Sequence, residues 1–535
     1  MPDSYLLHHL VEHSASKDAE RVALTFQDTS LTYGELAARM REFGSAMLEL
    51  GLKRGERVGI WLDKRLETVV ASFGTSAAGC TFVPINPLLK AEQVAYILQD
   101  CNVRVMVTTA ERLALLKGVL PGCPDLQHVV LTGDTRDIGP GRIEVIGWNE
   151  LPSATRPVSH GTTDGDMLAI LYTSGSTGRP KGVVLSHRNM VTGAKSVSSY
   201  LRNVKEDTLL AALPLSFDAG FSQLTTGFHS GARVVLLNYL MPRDVVRTME
   251  KERVTGLTAV PPLWIQLTQI EWPASIGEHL RYFANTGGRM PFETLKALRA
   301  RLPVTRPYLM YGLTEAFRAT YLPPEQADLR PDSIGKAIPN NEVMVLREDG
   351  SPCAPNEPGE LVQRGPLVAM GYWNDPEKTA ERFRPLPRNV GGRHSGLVLD
   401  EIAVYSGDTV RMDEEGYLYF IGRRDEMIKT SGYRVSPTEV EEAVYATGLV
   451  AECAAFGIDH DTLGQAIVLI ATAKGSVPID GNMVLAACRK SLPAYQVPSV
   501  VEIREGVLPR NPNGKIDRKL LSTEYVARKS EAAAA

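Results

Sequence analysis

The sequence has 535 residues, more than one hydrophobic core usually supports, so at least two domains are expected. With 44% hydrophobic and 22% charged residues and a formal net charge of −4, it has the composition of an ordinary globular protein, which argues against a protein that coats nucleic acid or anionic lipid. Its six cysteines are scattered, no apolar run reaches about 18 residues, and the N-terminal region lacks a signal-peptide pattern, so we predict a cytoplasmic protein with free thiols and no membrane span.

Residues 1–160 alternate between helical and strand patterns. Residues 32–50 are amphipathic and predict a helix with Thr32 near its N-cap. Short runs rich in β-branched residues and bounded by turn residues predict strands. These runs are residues 57–63, 104–109, 128–133, 167–172, 232–237 and 256–260. The alternation predicts parallel sheets covered by helices.

After Asp332 the predicted elements change. Short strands separated by turns indicate antiparallel sheet or a small distorted β-barrel. They are residues 343–347, 359–364, 409–412 and 417–421. From residue 425 the pattern becomes compact α+β, with helices at 437–445 and 483–491 and strands at 451–458 and 466–473. We predict an α/β fold in which a large N-terminal domain (1–424) has two helix-covered sheets plus a small distorted β-barrel, followed by a small α+β C-terminal domain (425–535).

A loop rich in hydroxyl side chains and glycine lies between Leu171 and Gly182, after an apolar strand and before a helix predicted to begin near Ser186. Glycine lets backbone N–H groups approach an anion, hydroxyls add donors and lysine adds positive charge, so the composition fits a phosphate-binding loop. It is not a Walker loop, because no Gly-Lys-Ser/Thr ends the glycine pattern. On composition alone, a solvated turn with one surface lysine is an equal alternative. The candidate phosphate-binding residues are Thr173, Ser174, Gly175, Ser176, Thr177, Gly178 and Lys181.

This loop resembles the phosphate-binding signature of the adenylate-forming superfamily, which comprises acyl-CoA synthetases, peptide-synthetase adenylation domains and firefly luciferase. Four further motifs follow in the superfamily's order, and the resemblance spans nearly the whole chain. They are residues 311–316 (YGLTEA), 405–408 (YSGD), 422–434 (GRRDEMIKTSGYR) and 509–515 (PRNPNGK). The resemblance implies a ligase that uses ATP and Mg²⁺ to activate a carboxylic acid as an acyl-adenylate, then passes the acyl group to a thiol. It also implies that the C-terminal domain is mobile.

The resemblance assigns nucleotide and metal roles to residues of these motifs. Glu315 would bind Mg²⁺, since hard oxygen ligands suit that ion, and Thr314 would donate to the α-phosphate. The Asp408 carboxylate would accept hydrogen bonds from the ribose hydroxyls, and Arg423 would support the same sugar. Tyr311 would lie against adenine. The other residues assigned to the nucleotide are Gly287, Gly288 and Arg289 beside the base, Gly312 of the tyrosine motif, and Lys515.

Two lysines of the C-terminal domain are assigned to different half-reactions. Lys515, in a Pro/Asn/Gly turn, would bridge the substrate carboxylate and the α-phosphate and stabilise charge that concentrates in the transition state. The resemblance implies rotation of the C-terminal domain between the half-reactions, with Asp425 at the hinge. After rotation, Lys429 and Gly432 would line the approach of the thiol of CoA or of a phosphopantetheine arm. The predicted catalytic residues are therefore Lys515, Thr314 and Lys429.

The acid-binding side departs from many acyl-CoA synthetases, which carry a histidine in the loop that here contains Ser216, Phe217 and Asp218. Phe-Asp is similar to amino-acid-activating adenylation domains, whose aspartate pairs with the substrate ammonium, although an aspartate can also simply cap a turn. Met310 and Arg318 would line the same pocket. Arg318 would either pair with Asp218, leaving no room for an ammonium, or bind a second carboxylate of the substrate. Both alternatives argue against a long plain fatty acid, which needs an apolar tunnel.

The chain resembles in particular the AMP-forming ligases associated with exosortase A and exopolysaccharide clusters, on residues 213–224, 314–324 and 370–385. Those relatives often neighbour a small carrier protein and a pyridoxal-phosphate decarboxylase, which favours an amino or other polar acid loaded onto an acyl or peptidyl carrier protein. An acyl-CoA synthetase for a short-chain or aryl acid is the alternative enzyme. A catalytically silent nucleotide-binding protein is disfavoured, because Lys515 and Glu315 are both present.

Overall fold

The structure is a computed structural model of the protein. It describes residues 4–133, 142–153, 161–173, 180–388, 390, 396, 399–423, 426–430, 433–460, 462–475, 478–512 and 514–534. Within these residues the chain forms 27 β-strands and 15 α-helices.

The strands are, in chain order, β1 (Val22–Phe26), β2 (Thr29–Thr32), β3 (Arg57–Ile60), β4 (Thr81–Pro84), β5 (Val103–Thr108), β6 (His128–Leu131), β7 (Glu144–Gly147), β8 (Met167–Thr173), β9 (Lys181–Ser186), β10 (Thr208–Ala211), β11 (Arg233–Leu236), β12 (Gly256–Ala259), β13 (Tyr282–Asn285), β14 (Arg306–Tyr311), β15 (Thr320–Leu322), β16 (Ser333–Ala337), β17 (Glu342–Leu346), β18 (Gly359–Arg364), β19 (Gly371–Tyr372), β20 (Phe383–Pro385), β21 (Ile402–Met412), β22 (Leu418–Arg423), β23 (Ile428–Thr430), β24 (Tyr433–Val435), β25 (Val450–His460), β26 (Gly464–Ala473) and β27 (Val500–Arg504).

The helices are α1 (His9–Lys17), α2 (Tyr33–Glu49), α3 (Leu66–Ala77), α4 (Ala91–Asp100), α5 (Ala110–Leu116), α6 (His187–Leu201), α7 (Asp218–Ser230), α8 (Pro242–Lys251), α9 (Pro261–Thr268), α10 (Ile276–His279), α11 (Phe292–Arg301), α12 (Pro376–Arg382), α13 (Pro437–Ala446), α14 (Gly481–Ser491) and α15 (Arg518–Ala534). Among the described helices, none is both long and apolar enough to cross a membrane.

The largest sheet joins parallel and antiparallel strands in one hydrogen-bonded array. Its order is β17-β18-β21-β22-β16-β15-β14-β13-β12-β10-β11-β1-β2, and β20 pairs with β21. The strands from β14 to β1 are parallel, whereas those from β15 to β17 are antiparallel. The antiparallel region predicted from the sequence is therefore hydrogen-bonded to the parallel region through β14 and β15.

The second sheet has eight strands in the order β19-β9-β8-β4-β3-β5-β6-β7. Strands β8 to β7 are parallel in this order, while β9 pairs antiparallel with both β8 and β19. The largest hydrophobic cluster joins helices α2, α3, α6 and α7 to strands of both sheets. Helices α2 and α3 approach closely at Gly44, where a Cβ would lie 2.7 Å from the carbonyl oxygen of Gly74. This packing holds the two sheets together through a shared helical layer.

The C-terminal region forms its own sheet, with β24-β23-β26-β25 in order and β27 parallel to β26. A separate hydrophobic cluster lies between this sheet and helices α13 and α14, with Val440 and Val484 fully buried. We call residues 426–534 the lid. The predicted domain boundary falls at Arg424 and Asp425, which lie outside the described residues, so its position stays a prediction.

The α/β fold class predicted from the sequence is confirmed, and so are most of the predicted elements. Thr32 caps α2 through a capping box with Glu35, as its position predicted. The expected helix after the glycine-rich loop begins at His187, but strand β9 comes between the loop and that helix. The predicted start of this helix near Ser186 is therefore confirmed, since Ser186 is its N-cap, whereas strand β9 was not predicted. Strand β9 has the sequence KGVVLS, and its run of three apolar side chains is too short for a periodicity to predict a strand.

Candidate active site

The predicted site segments converge because several follow parallel strands of the large sheet. Gly287 comes after β13, Gly312 comes after β14, and residue 218 follows β10 at the start of α7. The carboxyl ends of neighbouring parallel strands meet at one edge, where ligands commonly bind. Asp218, Asp408 and Arg423 all act electrostatically on the Lys515 ammonium. Strands of the large sheet and a loop of the lid therefore form one cleft.

The tyrosine motif and the aspartate motif meet at the antiparallel side of this cleft. The Tyr311 hydroxyl donates to Asp408 Oδ2, and Arg423 Nε lies 3.4 Å from Asp408 Oδ1. Asp408 and Arg423 are paired opposite each other on β21 and β22. Burial raises the pKa of Asp408, and Arg423 opposes that shift. The structure thus brings together the three side chains predicted to hold the base and sugar of a nucleotide.

Thr314 and Glu315 lie in a single 3-10 turn just after β14. The Tyr372 hydroxyl donates to Glu315 Oε1 at 2.7 Å, and the Glu315 carbonyl accepts from the backbone N–H of Ala369 at 2.9 Å. The turn ends at Phe317, whose φ of +56° is unusual for a residue with a side chain. Both the carboxylate and its backbone are therefore held by contacts distant in sequence.

Only the two ends of the predicted phosphate loop are described. Thr173 ends β8 and Lys181 begins β9, and these two residues are paired opposite each other. The Lys181 ammonium lies 5.4 Å from the centre of the Tyr372 ring. The five predicted residues between them lie outside the described residues: Ser174, Gly175, Ser176, Thr177 and Gly178.

Lys515 reaches the cleft from the lid. A Cβ placed on Gly287 would lie 3.3 Å from Lys515 Cε, so the lysine runs along the glycine turn. The side chain of Asn86 donates to the Pro512 carbonyl at 2.8 Å, which attaches the lysine loop to the large domain. Although the residue as a whole is exposed, the protein around it desolvates the ammonium and lowers its pKa, and Asp218 is the strongest opposing influence.

Arg289, which we predicted to lie beside the base, makes an ion pair with the lid. Its Nε lies next to Glu442 Oε1 of helix α13. The neighbouring Gly288 carbonyl accepts from the Asn285 side chain at 2.8 Å, which fixes the turn. The turn therefore contacts the lid twice, through Arg289 and through Gly287 against Lys515.

The predicted acid pocket contains a buried ion pair at the start of α7. Arg318 Nη1 lies 3.4 Å from Asp218 Oδ2, and the Arg318 side chain is 3% exposed and that of Asp218 13% exposed. Arg318 Nε is buried and has no hydrogen-bond partner among the described residues. Burial raises the pKa of Asp218, and Arg318 opposes that shift. Phe217 precedes the helix and is buried, while Met310 Sδ accepts from the Tyr200 hydroxyl at 3.0 Å.

The residues predicted for the thiol step lie apart from this arrangement. Lys429 is exposed on β23, where its backbone N–H donates to Gln465 Oε1 at 2.8 Å. Asp425 and Gly432 lie outside the described residues. In this conformation Lys515, and not Lys429, is the lysine that lies against the glycine turn.

Comparison with known proteins identifies the family. Residues 11–373 match the AMP-binding enzyme family, and residues 439–515 match the AMP-binding enzyme C-terminal domain. The chain belongs to the AMP-binding enzyme family. It is 30% identical to a long-chain-fatty-acid–CoA ligase of Salmonella typhimurium, over 98% of this chain and 95% of that protein. It is also 29% identical to tyrocidine synthase 3 of Brevibacillus parabrevis, over 97% of this chain and 8% of that much longer protein.

The fold of this AMP-binding enzyme is also similar to solved structures. An anthranilate CoA ligase, AuaEII, in complex with anthranoyl-AMP matches with a TM-score of 0.85 and 25% identity, over 98% of each chain. ATP-bound MatB from Rhodopseudomonas palustris matches with a TM-score of 0.83 and 24% identity, over 97% of this chain and 99% of that one. The protein is an acyl-CoA synthetase-like, AMP-forming ligase that activates a carboxylic acid as its adenylate.

The described residues of the AMP-binding enzyme fit ATP and a magnesium ion. Asp408 Oδ1 is buried and, although it forms an ion pair with Arg423, accepts no hydrogen bond from a described residue, so it can accept one from a ribose hydroxyl. Gly287 has φ of +76° and no Cβ, which leaves its backbone open toward the cleft beside Lys515. Glu315 Oε2 accepts no hydrogen bond from a described residue, and Mg²⁺ commonly binds one or two carboxylates plus phosphates and water.

Sequence reasoning missed several residues that contact the site. Tyr372 contacts Glu315, Glu442 pairs with Arg289, and Tyr200 contacts Met310. No local pattern identifies them, because each contact joins segments far apart in the chain. Helix α6 already carries several hydroxyl and other polar side chains, so nothing in the local sequence singles out Tyr200.

Proposed function

We propose that this AMP-binding enzyme activates an amino acid or another polar carboxylic acid with ATP and Mg²⁺, and transfers the acyl group to a phosphopantetheine thiol. The observation that supports a polar substrate is the ion pair between Asp218 and Arg318 in the predicted acid pocket. An ion pair offsets only part of the free energy needed to remove its two charges from water, so such a pair would be a costly lining for a pocket that binds a plain fatty acid. A polar substrate would instead accept from the unpartnered Arg318 Nε.

The sequence left open whether Arg318 pairs with Asp218 or binds a second carboxylate of the substrate, and in the structure Arg318 pairs with Asp218. Because Arg318 already neutralises Asp218, an ammonium alone would leave the pocket with excess positive charge. A neutral polar group, or an ammonium accompanied by a second carboxylate, would keep the charges balanced. Acidic amino acids and neutral polar acids are therefore the first substrates to test.

The cleft geometry supports a role for each residue in the first half-reaction. A carboxylate oxygen of the acid attacks the α-phosphorus of ATP, and the bond to the bridging oxygen of pyrophosphate breaks. Lys515 would donate to the attacking carboxylate and the α-phosphate, and Thr314 would donate to the same phosphate. Tyr311, Asp408 and Arg423 would hold the nucleoside in place. Magnesium bound by Glu315 would neutralise phosphate charge.

In the second half-reaction the thiol attacks the acyl carbonyl carbon and AMP leaves. Lys429 and Gly432 would line the thiol's approach after the lid rotates about Asp425. CoA and a carrier protein present the same phosphopantetheine thiol, and the relatives include a CoA ligase and a tyrocidine synthase. Mass spectrometry of products formed with each acceptor in turn would identify the physiological thiol.

An acyl-CoA synthetase for a short-chain or aryl acid is the second candidate. Tyr200 stacks on Tyr321 with ring centres 4.2 Å apart, which supplies an aromatic surface next to Met310. The structurally similar ligase bound to anthranoyl-AMP also carries an aryl acid.

The cytoplasmic location stays a prediction, and all six cysteines are free, as the sequence predicted.

The ion pair provides a direct test of the substrate class. In Arg318→Met, we expect the KM for the preferred acid to rise at least about tenfold while the KM for ATP stays within about twofold, because buried hydrogen-bonding groups discriminate strongly. Pyrophosphate exchange with acidic amino acids, neutral polar acids, benzoates and fatty acids measures both values. Because breaking a buried pair costs about 3–5 kcal/mol, the double variant Asp218→Asn with Arg318→Met guards against simple unfolding.

A matched control removes a half-buried arginine whose carboxylate partner is buried, far from the cleft. Arg281 pairs with Asp207 at 2.6 Å, at the amino ends of β13 and β10. Arg281→Met should reduce stability but leave the KM for the acid unchanged. If the double variant at Asp218 and Arg318 uses the preferred acid as well as the parent does, the pair does not determine the substrate.

A further inference from the structure

Tyr372 lies between two groups that the proposed reaction requires. Its hydroxyl donates to Glu315 Oε1 at 2.7 Å, and its ring centre lies 5.4 Å from the Lys181 ammonium. Tyr372 is 8% exposed, so these contacts are made inside the protein. One side chain therefore contacts both the predicted magnesium ligand and the predicted phosphate-binding lysine.

The position of Tyr372 is fixed by its backbone. In β19 it is paired with Val183 of β9, two residues from Lys181. Its N–H donates to Thr379 Oγ1 at 2.9 Å, and the next residue, Trp373, donates to the Gly182 carbonyl at 2.7 Å. The strand that carries Lys181 thus also positions the tyrosine.

The same short segment also holds Glu315. The Ala369 N–H donates to the Glu315 carbonyl at 2.9 Å. Asn189, in the first turn of α6, donates to the carbonyls of Pro366 at 2.6 Å and Val368 at 2.9 Å, which secures the segment from the other side. Backbone and side chain of Glu315 are therefore both attached to residues 369–372.

We propose that Tyr372 is a positioning residue that orients Glu315 for the metal ion and Lys181 for the phosphates of the same nucleotide. The hydroxyl occupies one carboxylate oxygen, which restricts rotation of the carboxylate and leaves Oε2 for the cation. The ring face attracts the Lys181 ammonium and limits the positions it can occupy. The proposal rests on the proposed function, since it requires a metal–nucleotide complex in the cleft.

The test uses the full-length enzyme with Mn²⁺ and α,β-methylene-ATP, which binds without turnover. Electron paramagnetic resonance of free Mn²⁺ gives the metal affinity of the ternary complex, and calorimetry in EDTA gives the nucleotide affinity without metal. In Tyr372→Phe, which keeps the ring, we expect Mn²⁺ binding to weaken about three- to tenfold, as for the loss of a hydrogen bond of ordinary net strength. Nucleotide affinity in EDTA should stay within about twofold.

Tyr372→Leu also removes the ring, so we expect it to weaken nucleotide binding in EDTA as well. The control is Tyr33→Phe, which removes another buried hydroxyl that donates to the Ala232 carbonyl at 2.7 Å and lies outside the site. It should leave both affinities unchanged.

A double-mutant cycle with Glu315→Gln separates positioning from a general structural effect. If Tyr372 acts through Glu315, Tyr372→Phe should cause no further loss of Mn²⁺ binding in the Glu315→Gln background. An equal loss in both backgrounds, or Mn²⁺ affinity within about twofold of the parent in Tyr372→Phe alone, would overturn the proposal. A parent enzyme that binds no Mn²⁺–nucleotide complex and exchanges no pyrophosphate would instead overturn the proposed function.

Discussion

Lys515 brings a positive charge into a cleft that already contains Arg423, and the carboxylates of Asp218 and Asp408 offset that repulsion. Desolvation lowers the pKa of Lys515 because the surrounding protein disfavours its charged form. Bound phosphate and carboxylate groups would reverse that preference, since opposite charges stabilise the ammonium. The lysine is therefore best stabilised when both substrates are present, which suits a residue that acts in the transition state.

Replacing this lysine should separate catalysis from nucleotide binding. In Lys515→Met we expect pyrophosphate exchange to fall about 100- to 1000-fold, comparable to the loss of one donor that stabilises transition-state charge. The dissociation constant of ATP should change less than about fivefold, because Asp408, Tyr311 and Arg423 remain. Lys490→Met, an exposed lysine on α14, is the control and should match the parent. Exchange at the parental rate in Lys515→Met would contradict the proposed mechanism.

Candidate site residues could be named from the sequence where a short motif resembles one of a known family. Lys515, Thr314 and Asp408 were assigned in this way, and their roles stay predictions. The role of Tyr372 could not be predicted, because its bond to Glu315 depends on the pairing of β19 with β9. The partner of Arg289 could not be predicted either, since it depends on how the lid docks.

At the scale of elements, the start of α7 positions the acid pocket. Phe217 precedes the helix, and Asp218 is its first residue, with Oδ1 accepting from the Ala219 N–H at 2.7 Å. Gly220 lets the preceding loop lie against the helix, because a Cβ there would be 1.6 Å from the Pro214 carbonyl oxygen. The sequence predicted the loop but not this contact, since a glycine in a helix has no local reason that the sequence reveals.

Adding one methyl group at this position should displace the acid pocket. In Gly220→Ala we expect the free energy of unfolding to fall by about 1–3 kcal/mol, because the added methyl group overpacks against backbone. We also expect the KM for the acid to rise more, relative to the parent, than the KM for ATP. Gly118→Ala is the matched control, because a Cβ at Gly118 meets nothing within 4 Å. Thermal unfolding and pyrophosphate exchange measure the two effects. Parental stability together with a parental KM would show that the loop moves at no cost.

At the scale of the whole molecule, the ion pair between Arg289 and Glu442 joins the large domain to the lid. Burial raises the pKa of Glu442 to about 7, with Arg289 opposing and the carboxylates of Asp332, Glu441 and Glu439 adding to the rise. When the lid is docked, Glu442 therefore keeps its proton between about pH 4.5 and 7, where an exposed glutamate loses it. Stability from this group is fully present below the lower value and is lost as pH rises through the upper one.

Neutralising Glu442 should flatten this pH dependence. Relative to Glu442→Gln, the parent should lose about 1–3 kcal/mol of stability between pH 5 and 7.5, a range bounded by the shift in pKa and reduced by partial solvent access. Thermal unfolding of both proteins across that range gives the difference. Glu92→Gln, an exposed glutamate in α4, is the control. If the parent instead loses stability relative to Glu442→Gln as pH falls, the attraction of Glu442 to Arg289 outweighs the effect of burial.

The large sheet has a consequence for the order of events. Tyr311 and Asp408 lie on strands of one continuous hydrogen-bonded array, whereas Lys515 and Lys429 belong to the lid. If the lid rotates, Lys515 and Lys429 change place with the rest of the lid, while Tyr311 and Asp408 stay in their strands around base and sugar. We therefore expect the mixed anhydride to remain bound between the two chemical steps, so that this labile compound need never escape into water.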